Sequence, residues 1–138
     1  EPMVMTTAAL IGCGLFAKDV YAKLIHEHSD RLQLAICWSR SQEASTGFVS
    51  QHAPSAMAVH GEPGLQQIMD DPSIQLLIVV LPPEAALKVV RAGLACGKHV
   101  ITEKPVAPTV KEAVEAMDWY RKTGVTTSPR WMFAENYR

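Results

Sequence analysis

The sequence predicts an α/β fold, a doubly wound parallel sheet of about six strands flanked by helices. Three observations predict it. Short apolar runs alternate with helix-periodic segments along the chain. One run, Leu76-Leu77-Ile78-Val79-Val80-Leu81, is apolar on both faces, as a central strand covered by helices must be. A glycine-rich turn, Gly12-Cys13-Gly14, separates the first apolar run from the first helical pattern.

The elements follow in order. Ala8 to Ile11 is the first strand. From Leu15 to His28, Phe16, Val20, Leu24 and Ile25 recur at helical spacing. Leu32 to Trp38 is the second strand, and Ser41 is placed to cap a helix running to about His52. Ala58 to His60 is a short third strand, and Pro63 to Asp70 a short helix. Pro82-Pro83 stops the fourth strand, Leu76 to Leu81, because neither proline has an N–H to offer the ladder. Glu84 to Cys96 reads as a helix with Leu87, Val90 and Leu94 on one stripe and Gly97 in the left-handed position after its end. His99 to Thr102 is the fifth strand. Thr109-Val110-Lys111-Glu112 has capping-box spacing and opens a helix ending near Gly124, with Val110, Ala113, Val114 and Met117 as its buried stripe. Val125 onwards, through Trp131 and Phe133, is the sixth strand.

At 138 residues the chain reads as a single domain spanning residues 1–138. Its 48% hydrophobic and 20% charged residues are ordinary for a globular protein and argue against disorder. Thirteen Lys and Arg stand against 14 Asp and Glu, without a like-charge block, so neither nucleic acid nor an anionic membrane is an expected partner. The longest apolar run is too short to cross a bilayer. Cys13, Cys37 and Cys96 are odd in number and scattered in apolar surroundings. They are expected to be buried thiols in a reducing compartment, hence a cytoplasmic protein with no metal site.

The turn Gly12-Cys13-Gly14-Leu15-Phe16-Ala17 has the form G-x-G-x-x-A. Gly12 permits the tight turn, Gly14 lets a pyrophosphate approach the backbone, and Ala17 lets the helix lie close to the sheet. The N–H groups around Leu15 and Phe16 then face the phosphates, with the positive helix end behind them. Dinucleotide binding is the expectation.

An NAD site places Asp or Glu at the end of the second strand, bonded to the ribose 2′-hydroxyl. Here the residues are Trp38-Ser39-Arg40-Ser41, with no carboxylate before Glu43. Arg40 suits a 2′-phosphate, and Ser39 and Ser41 can donate to it. Trp38 or Arg40 is also placed to stack on adenine. NADP(H) is expected over NAD(H).

His99-Val100-Ile101-Thr102-Glu103-Lys104-Pro105 sets a charged pair at the carboxyl end of a buried strand, the edge where open α/β sheets bind ligands. Lys104 there is suited to hydrogen-bond a substrate oxygen and stabilise developing alkoxide charge.

The glycine turn, Pro82-Pro83, Ala95-Cys96-Gly97-Lys98-His99-Val100 and Glu103-Lys104-Pro105 together resemble the Gfo/Idh/MocA oxidoreductases in order and spacing. The resemblance covers nearly the whole chain and extends to Ala134-Glu135-Asn136-Tyr137-Arg138, similar to the last strand of that family's nucleotide domain. It implies an NAD(P)-dependent oxidoreductase acting on a sugar, polyol or related hydroxyl or carbonyl compound. It implies a catalytic Lys104 with Glu103 in support, and cofactor contacts from Leu81, Pro82, Pro83, Glu103, Lys104 and Asn136 beside those of the glycine turn.

The chain departs from the family at Pro83, where members often have Asn, and at Ala86, where they often have His. Members also continue into a second α/β domain that supplies the substrate pocket and most of the oligomer interface. This chain is expected to lack that domain, as a fragment or a natural truncation, and to leave an apolar patch exposed near Pro105 and Arg138. The competing reading is a non-catalytic dinucleotide sensor or scaffold of the same fold; retention of Glu103-Lys104-Pro105 argues against it.

Overall fold

The computed structural model describes residues 3–123 and 128–135. Six strands form one sheet among them: β1 (Thr6–Ile11), β2 (Leu32–Ser39), β3 (Met57–His60), β4 (Leu76–Val79), β5 (His99–Glu103) and β6 (Trp131–Ala134). Their spatial order is β3-β2-β1-β4-β5-β6, and every neighbouring pair is parallel. Parallel neighbours require crossovers, and each is helical. A π-helical segment, Ala17–Tyr21, runs into α1 (Ala22–Glu27); α2 (Gln42–His52), α3 (Gly61–Asp70), α4 (Pro83–Ala95) and α5 (Val110–Lys122) follow. The chain winds outward from β1 to β3 and then lays β4 against the other side of β1. That reversal opens a crevice beyond the carboxyl ends of β1 and β4, where an open α/β sheet binds its ligands.

The two-residue period of a strand divides the core between the sheet's faces. Ala8 and Leu10 join Ala17, Tyr21 and Phe48 on one face. Ala9 and Ile11 join Ile68, Val90, Leu94 and Ala116 on the other. All four residues of β4 are buried, as a strand covered on both faces requires.

The expected caps are present. Ser41 accepts the Ala44 N–H at 3.3 Å, and Thr109 accepts the Glu112 N–H at 3.2 Å. Glu112 does not complete a capping box, because its carboxylate takes the Thr109 hydroxyl at 2.8 Å instead. Gly97 has φ +79°, the left-handed conformation expected after α4.

Several expectations are corrected. On the first helix Ala17 and Tyr21 are buried, whereas Phe16 and Leu24 are exposed. Ala17, the small residue that lies against the sheet, sets the buried stripe one position on from Phe16, and Tyr21 four residues later continues it. The Ala22 N–H bonds the Ala17 carbonyl, one residue further back than in an α-helix. On α5 Val110 and Val114 are exposed. The helix packs through its later turns, where Ala116, Met117, Trp119 and Tyr120 meet the core and Tyr120 stands edge-on to Trp131 at 5.9 Å. Cys96 is exposed, unlike Cys13 and Cys37, because it caps α4 at the surface. β4 ends at Val79, before Leu81, although the Val80 N–H still reaches the Ile11 carbonyl at 2.8 Å.

α5 ends at Lys122 and β6 starts at Trp131; the expected sixth-strand start at Val125 and the helix end at Gly124 lie outside the described residues. Met132 and Phe133 of β6 are exposed; Arg138, named for the expected apolar patch, lies outside the described residues.

Lys98 lies at the amino ends of β4 and β5. It is only 4% exposed, and its ammonium donates to the carbonyls of Asp71 at 2.6 Å and Ile74 at 3.0 Å. Buried this way, its charge is satisfied by backbone oxygens.

Candidate functional site

The glycine turn occupies the crevice at β1. Gly12 has φ +115°, and its N–H donates to the Trp38 carbonyl at 2.9 Å. A side chain there would overlap the Val80 carbonyl oxygen and stand 2.9 Å from its carbon. Gly12 thus permits the close approach of the β1 and β4 ends. Gly14 serves differently: a Cβ on it would have nothing within 4 Å and would project into open space. The first helical bond runs from the Lys18 N–H to the Gly14 carbonyl at 3.1 Å. The N–H groups of Leu15, Phe16 and Ala17 precede any helical acceptor and end the helix on its positive pole.

The opposite wall comes from β4 and β5. Val80, Leu81, Pro82 and Pro83 follow β4, with Pro82 as N-cap and Pro83 as the first residue of α4. Glu103 ends β5, and Lys104 follows it, joined to Pro105 by a cis peptide bond. These residues and Gly14–Ala17 enclose a cleft of about 580 Å³. Exposed Lys104 lines it.

Glu103 is held from two sides. The Tyr21 hydroxyl donates to Oε1 at 2.6 Å, and the Lys104 backbone N–H donates to Oε2 at 3.2 Å. Burial raises the Tyr21 hydroxyl above the ordinary tyrosine range, and the hydrogen bond and negative charge of Glu103 act in the same direction.

The structure therefore brings together Gly14, Leu15, Phe16, Leu81, Pro82, Pro83, Glu103 and Lys104, with Gly12 beneath the turn. Ser39, Arg40 and Ser41 lie at the end of β2, the strand next to β1, and do not line this cleft. Arg40 is exposed, and Ser41 is engaged as the cap of α2. Trp38 is not available for stacking on adenine. It is 5% exposed, sits in the core, and donates its Nε1–H to the Gly61 carbonyl at 2.8 Å. Asn136 lies outside the described residues.

Sequence reasoning missed Tyr21, whose partner is 82 positions away, and Val80. The spacing of Ala17 and Tyr21, four residues apart on the first helix, is a local trace of the former.

Three N–H groups at a helix start, a glycine without neighbours and an open cleft suit a pyrophosphate, and the adjoining lysine suits a polar oxygen beyond it. Among the described residues no group of three or more His, Cys, Asp or Glu is placed to hold a metal ion. No described helix is long and apolar enough to cross a membrane.

A parallel sheet in this strand order, with a glycine turn at its switch point, defines a Rossmann domain of the dinucleotide-binding type. The chain belongs to the Gfo/Idh/MocA family: residues 6–130 match the family described as an oxidoreductase family with an NAD-binding Rossmann fold. It is 30% identical to the dehydrogenase FPY6 of Fusarium mangiferae over 97% of this chain and 39% of that protein. It is 33% identical to the scyllo-inositol 2-dehydrogenase (NADP(+)) IolW of Bacillus subtilis over 75% of this chain and 26% of that one. Its fold matches that of the WlbA dehydrogenase of Chromobacterium violaceum, solved with NADH and UDP-GlcNAcA, with a TM-score of 0.79 at 19% identity. That match covers 94% of this chain and 35% of WlbA. The chain thus spans well under half the length of the relatives it matches.

Proposed function

We propose that this chain is the nucleotide-binding domain of an NADP(H)-dependent oxidoreductase acting on a sugar, polyol or related hydroxyl or carbonyl compound. The observation that carries the reading is the cleft that sets Lys104 and Glu103 opposite the helix start at Leu15–Ala17. The N–H groups of Leu15 and Phe16 hold the pyrophosphate, Gly14 leaves it room, and Leu81, Pro82 and Pro83 face the nicotinamide ribose. When bound, the nicotinamide supplies or accepts the hydride. Lys104 orients the substrate oxygen and stabilises negative charge that develops on it, the work of an oriented cation. Glu103, with both oxygens engaged by the protein, supports Lys104 instead of touching substrate.

At the end of β2, Arg40 pairs with the 2′-phosphate and Ser39 and Ser41 donate to it. The absence of a carboxylate there supports NADP(H) over NAD(H). The relative named for NADP(+) and inositol, IolW, agrees with both the cofactor and the polyol class. Substrate selection and any homo-oligomer interface are assigned to the second domain that the family resemblance implies, and the working compartment is the cytoplasm.

Titration of the chain with NADPH, NADH and buffer, followed by thermal melting, tests this. Ligand at about 100 times its Kd stabilises by about 2.7 kcal/mol. A larger rise with NADPH than with NADH is expected. Equal shifts overturn the role of Arg40, and no shift with either overturns the cofactor site. In a polypeptide that also carries the family's second domain, Lys104→Ala is expected to lower turnover roughly 100- to 1,000-fold while NADPH still binds.

A further inference from the structure

Tyr21 closes the π-helical segment that begins directly behind the glycine turn. Its hydroxyl crosses to β5 and donates to Glu103 Oε1 at 2.6 Å. The second oxygen of the same carboxylate accepts the Lys104 backbone N–H at 3.2 Å. One carboxylate therefore ties the helix that starts at Leu15 to the peptide that carries Lys104. Ala17 and Tyr21, four residues apart and both buried, lie on the core side of this helix. Phe16 stands edge-on to the Tyr21 ring at 5.9 Å, so the ring is held from the cleft side as well.

We infer that Tyr21 is a positioning residue that locks the Lys104 peptide, through Glu103, to the helix bearing the phosphate cradle. The inference rests on the dinucleotide reading given above. A dinucleotide seated at Leu15–Ala17 then meets Lys104 at a preset place, and no binding energy is spent on ordering the lysine peptide. The nicotinamide half benefits from the lock. The adenosine half, which lies toward β2, does not.

Tyr21→Phe keeps the ring and its packing and removes only the hydroxyl. Hydrogen exchange without any ligand reads the lock itself. The Lys104 amide is expected to exchange faster in the variant while amides of β1 and β4 keep their rates. NADPH and adenosine 2′,5′-bisphosphate then read the consequence. NADPH is expected to bind roughly three- to tenfold more weakly, the loss of about one hydrogen bond, while the adenosine fragment binds as before. In a Glu103→Ala background Tyr21→Phe is expected to add nothing further.

Unchanged exchange at Lys104 overturns the inference. So does equal weakening of both ligands, which marks a general loss of structure, or an undiminished effect in the Glu103→Ala background. If the unmodified chain binds neither ligand, the dinucleotide reading fails, and exchange at Lys104 decides the lock alone. Should Tyr21→Phe not fold, 4-fluorophenylalanine at position 21 fills nearly the same space without a hydrogen-bond donor, and faster exchange at Lys104 is again expected.

Discussion

Gly12 and the Val80 carbonyl are packed so closely that no side chain fits between them. The turn after β1 therefore passes directly over the end of β4, and the crevice between these strands has a floor of bare backbone. Two residues on, a Cβ added to Gly14 would meet nothing within 4 Å and would project into the open cleft.

The two glycines should respond differently to alanine. Gly12→Ala adds overlap to a backbone at φ +115° and is expected to destabilise the domain by about 3 kcal/mol or more, read as a lowered melting temperature. Gly14→Ala is expected to melt within a few degrees of the parent and to weaken NADPH binding at least tenfold by filling the space beside the pyrophosphate. Loss of stability in Gly14→Ala with undiminished NADPH binding would contradict the division of labour.

Lys98→Met should destabilise without affecting the ligand. The substitution leaves the Asp71 and Ile74 carbonyls without their buried donor, a loss of about 1–3 kcal/mol in urea denaturation. Lys98 stands at the amino end of β5 and the cleft at its carboxyl end, so the dissociation constant for NADPH should stay within twofold.

Arg40→Ala is expected to weaken NADPH about 10- to 100-fold, the range for a hydrogen-bonded charge pair, and to leave NADH nearly unchanged. Competition titrations with both cofactors give the ratio. A parallel loss for the two would assign Arg40 to the adenine instead of the 2′-phosphate.

The thiols predict an alkaline transition. Burial pushes Cys13 up to about 11 and Cys37 up to about 12, from an ordinary value of 9.0, and the neighbouring Cys13 adds to the effect at Cys37. Above pH 9 the unfolded chain releases protons that the folded chain keeps. The contribution of the two thiols should therefore be constant below about pH 9 and fall away as pH rises toward 12. Cys37→Ala should make that fall shallower in denaturation curves taken across this range. In native protein near pH 8, iodoacetamide should modify exposed Cys96 and spare the other two cysteines.

The fold was legible because its signals are local. The unbroken apolar run from Leu76, Ser41 before α2, Thr109 before α5 and Gly97 after α4 each state a requirement that adjacent residues meet. Apolar spacing on α5 was a poorer guide. Val110 and Val114 match the helical period, but only the later turns of that helix find a partner, so periodicity marked a stripe without saying where the sheet would cover it. Trp38 shows the same limit at the site. A tryptophan beside a cofactor strand is a reasonable stacking surface until the strand's alternation turns it inward against the carbonyl of Gly61.

What the sequence by itself determined is the parallel α/β sheet, the glycine turn at its first strand and the lysine at its fifth, together with the family they mark. Short-range chemistry suffices for these: a strand's period, a cap's hydroxyl, a glycine's tolerance of positive φ. Only the tertiary structure decided that Glu103 turns toward Tyr21, that Lys98 is buried on two carbonyls, and that Val80 forms the floor beneath Gly12. Each of these joins residues far apart along the chain, and the sheet order brings them together. A hydrogen bond requires its donor and acceptor to be placed to within a few tenths of an ångström, which no local pattern encodes.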